Sequence, residues 1–174
     1  MTEQRINIIG ADITGLDVDA IVNAANPELL PGGGVCGAIH DAAGPGLAAE
    51  CAQIPGGCPT GEARITHGYD LKAPYVIHAV GPIWSGGVAG EPDLLAQCYR
   101  RALGLCVGNN LTSIAFPAIS TGIYGFPADR AAEIAVNTVA DFLRPDDRLK
   151  QVVFCCFGEV SIKAHEAALA ALDA

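Results

Sequence analysis

Basic side chains are scarce in this chain. Ten lysines and arginines stand against nineteen aspartates and glutamates, a formal net charge of −9 over 174 residues. No run gathers the few cations into a patch, so a nucleic-acid backbone would meet repulsion with little counterion release to offset it. Direct nucleic-acid binding is excluded on that ground, and docking on an anionic membrane is disfavoured by the same balance. Long apolar runs are lacking too. None approaches the roughly 20 residues of a spanning helix, and the polar start Met1 to Arg5 does not read as a signal peptide. Cysteine occurs seven times, an odd number with one adjacent pair (Cys155, Cys156), but never in CxxC spacing. That argues against a disulfide framework and against a zinc site, and His67, His78 and His165 have no mutual spacing that suggests a metal. Buried, reduced thiols in a cytoplasmic protein are the expectation.

What is present fits one compact domain spanning 1–174. Half of the residues (51%) are hydrophobic and 17% are charged, a composition that can bury a core. Arg5 to Ile9 and Ala20 to Val22 read as strands, followed by helical stretches from Val35 past His40 and from Leu47 to Gln53, separated by Gly44-Pro45. Ala63 to Thr66 and Tyr75 to Val80 are strand-like, Ile83 to Gly90 is an exposed loop, and Asp93 to Val107 has the apolar spacing of an amphipathic helix. Ser113 to Ile119 and Gln151 to Phe157 are nearly continuous apolar runs, suited to strands covered on both faces. Pro127 to Phe142 and Ser161 to Leu172 read as helices, with Pro127 at a helix start and Ser161 as an N-cap. Strands alternating with helices predict a three-layer α/β/α sandwich on a mixed, mostly parallel sheet.

Glycine, 21 residues in all, is concentrated in short motifs. Three segments leave a strand and enter a turn: Asp12-Ile13; Asn23 to Pro27 with Gly32-Gly33-Gly34-Val35; and Ser120-Thr121-Gly122-Ile123-Tyr124-Gly125-Phe126. Two such loops with helices behind them supply converging N–H groups, which hold a diphosphate without lysine. Strand carboxyl ends are also where ligands of open α/β sheets collect. Taken singly, either loop is equally well explained by the steric needs of a turn.

The segments Ala11 to Ile13, Ile21 to Pro27, Gly32 to Gly44, Cys58 to Gly61, His78 to Pro82 and Ala115 to Pro127 together resemble the macrodomain family, in the branch of ADP-ribose-ester hydrolases. The resemblance implies ADP-ribose, its esters and mono-ADP-ribosylated proteins as partners, with no cofactor and no metal. It implies that Asp12 and the Ile13 N–H read adenine, that Asn23 braces the loop, and that Asn26 bonds the distal ribose. It further implies that Gly33, Gly34 and Val35 hold one side of the diphosphate and Ser120, Thr121, Gly122, Ile123 and Tyr124 the other. Phe126 would pack on the distal ribose and Phe157 on adenine, with His40 beside the ribose. Plainer roles stand beside these: a cap for Asp12, an Asx turn for Asn26, core packing for both aromatics and a structural hydrogen bond for His40.

Cys36 departs from the pattern, because the branch usually has an aspartate there to orient or activate the attacking water. A thiol is a weak general base. Three readings stand: hydrolysis persists with water positioned by ligand phosphate and backbone; the chain is a non-catalytic ADP-ribose reader; or Cys36 is a nucleophile, which would need a cationic partner that no nearby residue supplies. A small residue merely tolerated at that position is the plain alternative. The expected activity is hydrolysis of the acyl ester at the distal ribose, releasing mono-ADP-ribose from acidic side chains or deacetylating O-acetyl-ADP-ribose, and reduced by Cys36. Asn26, Cys36 and His40 are its catalytic candidates. A phosphatase acting on ADP-ribose 1″-phosphate is the remaining enzymatic alternative.

Overall fold

A computed structural model describes residues 2–172. Six strands, β1 (Ile6–Gly10), β2 (Ala20–Ala24), β3 (Ala63–His67), β4 (Tyr75–Ala79), β5 (Ser113–Phe116) and β6 (Gln151–Cys156), form one sheet in the order β1-β6-β5-β2-β4-β3. Every pairing is parallel except β3 with β4. The helices are α1 (Gly34–Ala43), α2 (Pro45–Ala52), α3 (Glu91–Gly108), α4 (Ala128–Leu143) and α5 (Glu159–Leu172).

The apolar runs divide by the period-2 alternation of a strand. Ile114, Phe116, Val152, Phe154 and Cys156 point to a core shared with α3, α4 and α5. Their neighbours Ala115, Val153 and Cys155 point to a second core with α1 and α2. Both faces being covered is why these strands carry no polar residue after Ser113 and Gln151 at their starts, and the layers are those expected of a three-layer α/β/α sandwich. Tyr99, Phe116 and Phe154 form the aromatic centre of the larger core, with Tyr99 and Phe116 ring centroids 4.9 Å apart.

Several boundaries depart from the sequence reading. Arg5 belongs to a short 3-10 turn (Glu3–Arg5) rather than to β1. Its guanidinium donates to the carbonyls of Leu143, Asp146 and Leu149, capping the end of α4. The β5 strand stops at Phe116, three residues short of Ile119, because Pro117 has no N–H to continue the ladder. Likewise β6 ends at Cys156, leaving Phe157 outside it. Ser161 is not an N-cap: Gly158, at φ +90°, turns the chain early and α5 begins at Glu159. Ser161 lies inside the first turn, where its carbonyl meets His165 Nδ1 at 2.8 Å.

Parallel pairing brings the carboxyl ends of β1, β6, β5, β2 and β4 to one edge of the sheet. All three turn segments singled out in the sequence start there. One contact sets how closely the loops pack. A Cβ on Gly81, just past β4, would lie 2.2 Å from Ser120 Oγ and 2.5 Å from Ile119 Cγ2. Only glycine lets the β5 loop lie against the end of β4.

Candidate functional site

Helix α1 has Gly33 at its N-cap and so no side-chain cap. The N–H of Gly37 reaches Gly33 O at 3.2 Å, whereas among the described residues those of Gly34, Val35 and Cys36 meet no acceptor. These free donors sit at the positive end of the helix, a ready anion site.

On the neighbouring strand, the β5 loop is closed by Phe126 N–H on Ser120 O (2.9 Å) and Gly125 N–H on Gly122 O (3.0 Å). Between them the N–H groups of Thr121, Gly122, Ile123 and Tyr124 meet no acceptor among the described residues. Ser120 holds φ +69°, a left-handed conformation costly for a non-glycine residue, and its buried hydroxyl is unpartnered among the described residues. Strain of that kind persists where the surroundings over-determine the backbone, here through Gly81 and Phe126. Two sets of unpaired donors thus stand side by side, on loops leaving the paired strands β2 and β5.

Beneath the first loop runs a buried polar chain that the sequence did not disclose. His78 on β4 lies opposite Asn23 on β2, and Asn23 Nδ2 donates to His78 Nδ1 at 3.1 Å. That leaves His78 Nε2–H to donate to Thr66 Oγ1 at 2.9 Å, which passes its own proton toward His67 O at 3.3 Å. Asn23 Nδ2 also reaches Cys36 Sγ at 3.6 Å, and that thiol faces Leu30 O at 3.7 Å. Cys36, 6% exposed, therefore turns inward under the loop, and its hydrogen-bond partners among the described residues, Asn23 and Leu30, are uncharged.

Burial pushes His78 down to about 4, with the His40 charge acting the same way and Glu50 opposing. Burial also lowers His40 and His165. The unfolded chain therefore binds more protons than the native one between about pH 6.5 and 4. Stability is full above that window and falls as pH drops through it, by roughly 3 kcal/mol from His78 alone. A Tm series across that range should slope downward for the native protein and flatten in His78→Gln. An unchanged slope would place the linkage elsewhere.

At the far end of the row, Asp12 Oδ1 accepts from Thr14 Oγ1 (2.7 Å) and Thr14 N–H (3.0 Å), capping a 3-10 turn, Ile13–Gly15. Those two bonds hold the exposed carboxylate below its usual range, and Oδ2 meets no donor among the described residues. Phe157, 98% exposed, stands past β6, and Cys155 Sγ ties β6 to Ala11 O at 3.1 Å.

The decisive comparison is with known families. A family model described as Macro domain matches residues 22–135. The chain belongs to the macrodomain family. A macro domain-containing protein of Chlorobaculum tepidum is 55% identical over 95% of this chain and 96% of that one. A Cronobacter sakazakii protein named O-acetyl-ADP-ribose deacetylase is 52% identical over 97% of this chain and 96% of its own length. Among solved structures, the Oceanobacillus iheyensis macrodomain with ADP superposes with a TM-score of 0.91 at 44% identity, covering 95% of this chain and 90% of that one. A Trypanosoma brucei macrodomain in complex with ADP-ribose gives 0.90 at 45%, covering 95% and 69%.

This macrodomain brings Gly33, Gly34, Val35 and the Ser120 to Tyr124 loop to adjacent strand ends, with Asp12, Ile13 and Phe157 further along the same edge. Ile13 is buried, and its N–H meets no acceptor among the described residues. Asn26 is already engaged: its Nδ2 donates to Leu30 O (2.8 Å) and its Oδ1 accepts from Leu30 N–H (2.9 Å), leaving one N–H and one lone pair. Phe126, 2% exposed, is packed against Trp84 at 4.7 Å between centroids, in the core beneath its loop. His40 is buried with Nδ1 unpartnered among the described residues. It borders a depression of about 340 Å³ shared with Pro31, Asp41, Gly44, Pro45 and Ala48. A larger hollow of about 480 Å³ lies away from the strand ends, between α3 and the start of β3, where Glu62 is already paired with Arg101. No group of three or more potential metal ligands occurs among the described residues.

Proposed function

We propose that this macrodomain binds ADP-ribose along the carboxyl edge of its sheet and hydrolyses the acyl ester at the distal ribose. The observation that carries the reading is the pair of unpaired donor sets, Gly34 to Cys36 and Thr121 to Tyr124, on adjacent strand ends. An acidic chain that binds a diphosphate must use such backbone donors. The named relatives and ligand-bound neighbours support the same ligand.

Adenine then lies against Phe157, with its amino group on Asp12 Oδ2 and the Ile13 N–H reading the ring. The diphosphate bends between the two glycine loops, and the distal ribose meets Asn26 and His40. Water attacks the ester, and its proton passes to the departing oxygen, leaving a carboxylic acid and ADP-ribose. Fixed backbone donors supply orientation and charge stabilisation. Cys36, whose sulfur accepts from Asn23 Nδ2 and faces Leu30 O, offers no carboxylate to act as base, so turnover is slow. The same thiol favours the second reading, a reader without turnover. A cytoplasmic setting accords with seven unpaired cysteines.

The test is release of ADP-ribose from a protein mono-ADP-ribosylated on glutamate, alongside calorimetry with free ADP-ribose. Release abolished by Asn26→Ala supports the hydrolase, binding without release leaves the reader, and no binding sinks both. Asp12→Ala should weaken ADP-ribose by about 1–3 kcal/mol, the worth of a hydrogen bond to a charged group. Unchanged affinity would place adenine elsewhere.

A further inference from the structure

The loop joining β4 to α3 is given no role in the ADP-ribose reading above, yet it is held with unusual thoroughness. The buried carboxylate of Glu91 accepts the N–H groups of Ser85 (2.7 Å), Gly87 (2.9 Å) and Ala89 (2.7 Å). Trp84 N–H donates to Tyr124 O at 2.8 Å, its ring packs on Phe126, and the Arg130 guanidinium lies over it at 5.4 Å. The large side chains this pinned loop offers to solvent are aliphatic: Ile83 is 65% exposed and Val88 93%. Beside Tyr124, Ile123 is 99% exposed. Residues 83–90 carry no charged side chain in a chain of net charge −9.

Strand order supplies a ruler. With adenine beside β1 and β6 and the diphosphate between the β5 and β2 loops, the distal ribose lies over β2 and the next loop in line is this one. From β1 to β4 is four inter-strand spacings, roughly 19 Å at about 4.8 Å each, which sets the β4 loop at the distal-ribose end of the row, opposite adenine. Whatever is attached to the distal ribose emerges at the β4 loop.

Resting on the ADP-ribose reading above, we infer that this loop is a docking ledge for the polypeptide that carries the ADP-ribosyl group, receiving an apolar side chain next to the modified acidic residue. A ledge pinned from within does not have to be ordered on binding, which favours affinity. The absence of charge on residues 83–90 and the Arg130 cation at their flank make it the place where a segment bearing acidic residues meets least repulsion. A small-molecule ester would gain nothing from it.

The experiment compares, by calorimetry, free ADP-ribose with a peptide carrying ADP-ribose through a hydrolysis-resistant linkage at a glutamate position flanked by leucines. The native chain should bind the peptide about tenfold more tightly than ADP-ribose, the worth of burying one or two partly exposed aliphatic side chains. The double variant Ile83→Ser/Val88→Ser should lose most of that advantage while keeping its affinity for free ADP-ribose and its Tm, and a peptide with serines for leucines should behave as free ADP-ribose does. Equal affinity of the native chain for peptide and free ligand, or an advantage that survives in the double variant, overturns the inference alone. Failure to bind free ADP-ribose overturns the underlying reading and the inference with it.

Discussion

Gly33→Asp should abolish most ADP-ribose binding while leaving the protein as stable as before or more so. Gly33 occupies the N-cap of α1 at φ −88° and ψ −175°, a conformation open to any residue, and a Cβ there would meet nothing within 4 Å. Aspartate is among the best N-caps, and replacing glycine also narrows the unfolded ensemble. Together these are worth a few tenths to about 1 kcal/mol in favour of the variant. The same carboxylate would take the free N–H groups of the first turn and set a negative charge where the diphosphate has to lie. At about 4 Å and an effective dielectric of about 20–40, each charge pair costs roughly 2–4 kcal/mol, or about 30- to 700-fold in affinity. Calorimetry and a thermal melt on the same samples read both effects. A variant that keeps its affinity would show that the end of α1 is not the anion site, and one that loses stability would show that Gly33 serves the fold.

The opposed signs explain why the glycine loops were legible in the sequence. A helix start left uncapped makes poor sense for folding, and it makes sense once the unpaired donors serve a ligand. The strands were legible for a different reason: residues 114–116 and 152–156 are apolar on both faces because helices cover both. Their ends were less so. Pro117 stops β5 and Gly158 starts α5 early, both backbone effects that hydrophobic pattern does not report. His78 could not be read at all. A lone histidine in an apolar strand becomes the centre of a polar chain only through the registers that set it opposite Asn23 and bring Thr66 within reach. Glu91 is a similar case, since a glutamate before an amphipathic helix looks like a first-turn acid until the loop ahead of it folds onto its carboxylate. Asn26 and Asp12 fall between. The turn and cap roles open to them are in place, and each retains hydrogen-bonding capacity for a ligand.

Cys36→Asp should raise the rate of ADP-ribose release from a glutamate-linked carrier by about 100-fold or more, the usual worth of a positioned general base. The carboxylate would stand in the first turn of α1, where the helix dipole favours negative charge, and would take the Asn23 amide that now reaches Sγ at 3.6 Å. Leu30 O, 3.7 Å from the sulfur, would oppose it, since a thiol can donate to a carbonyl and a carboxylate cannot. The variant should therefore lose stability, by about 1–3 kcal/mol or more for a buried carboxylate only partly paired. The gain should fall on kcat with KM little changed, because the group acts on water and not on the bound ligand. A pH–rate profile should acquire an acidic limb absent from the native chain, as the carboxylate must be ionised to act as base. Cys36→Ser controls for size and should leave the rate near its native value. If the native chain already releases ADP-ribose as fast as the variant, then ligand phosphate and backbone donors position the water without help from residue 36. If only the variant releases it, and both bind ADP-ribose equally, the thiol has turned a hydrolase pocket into a reader.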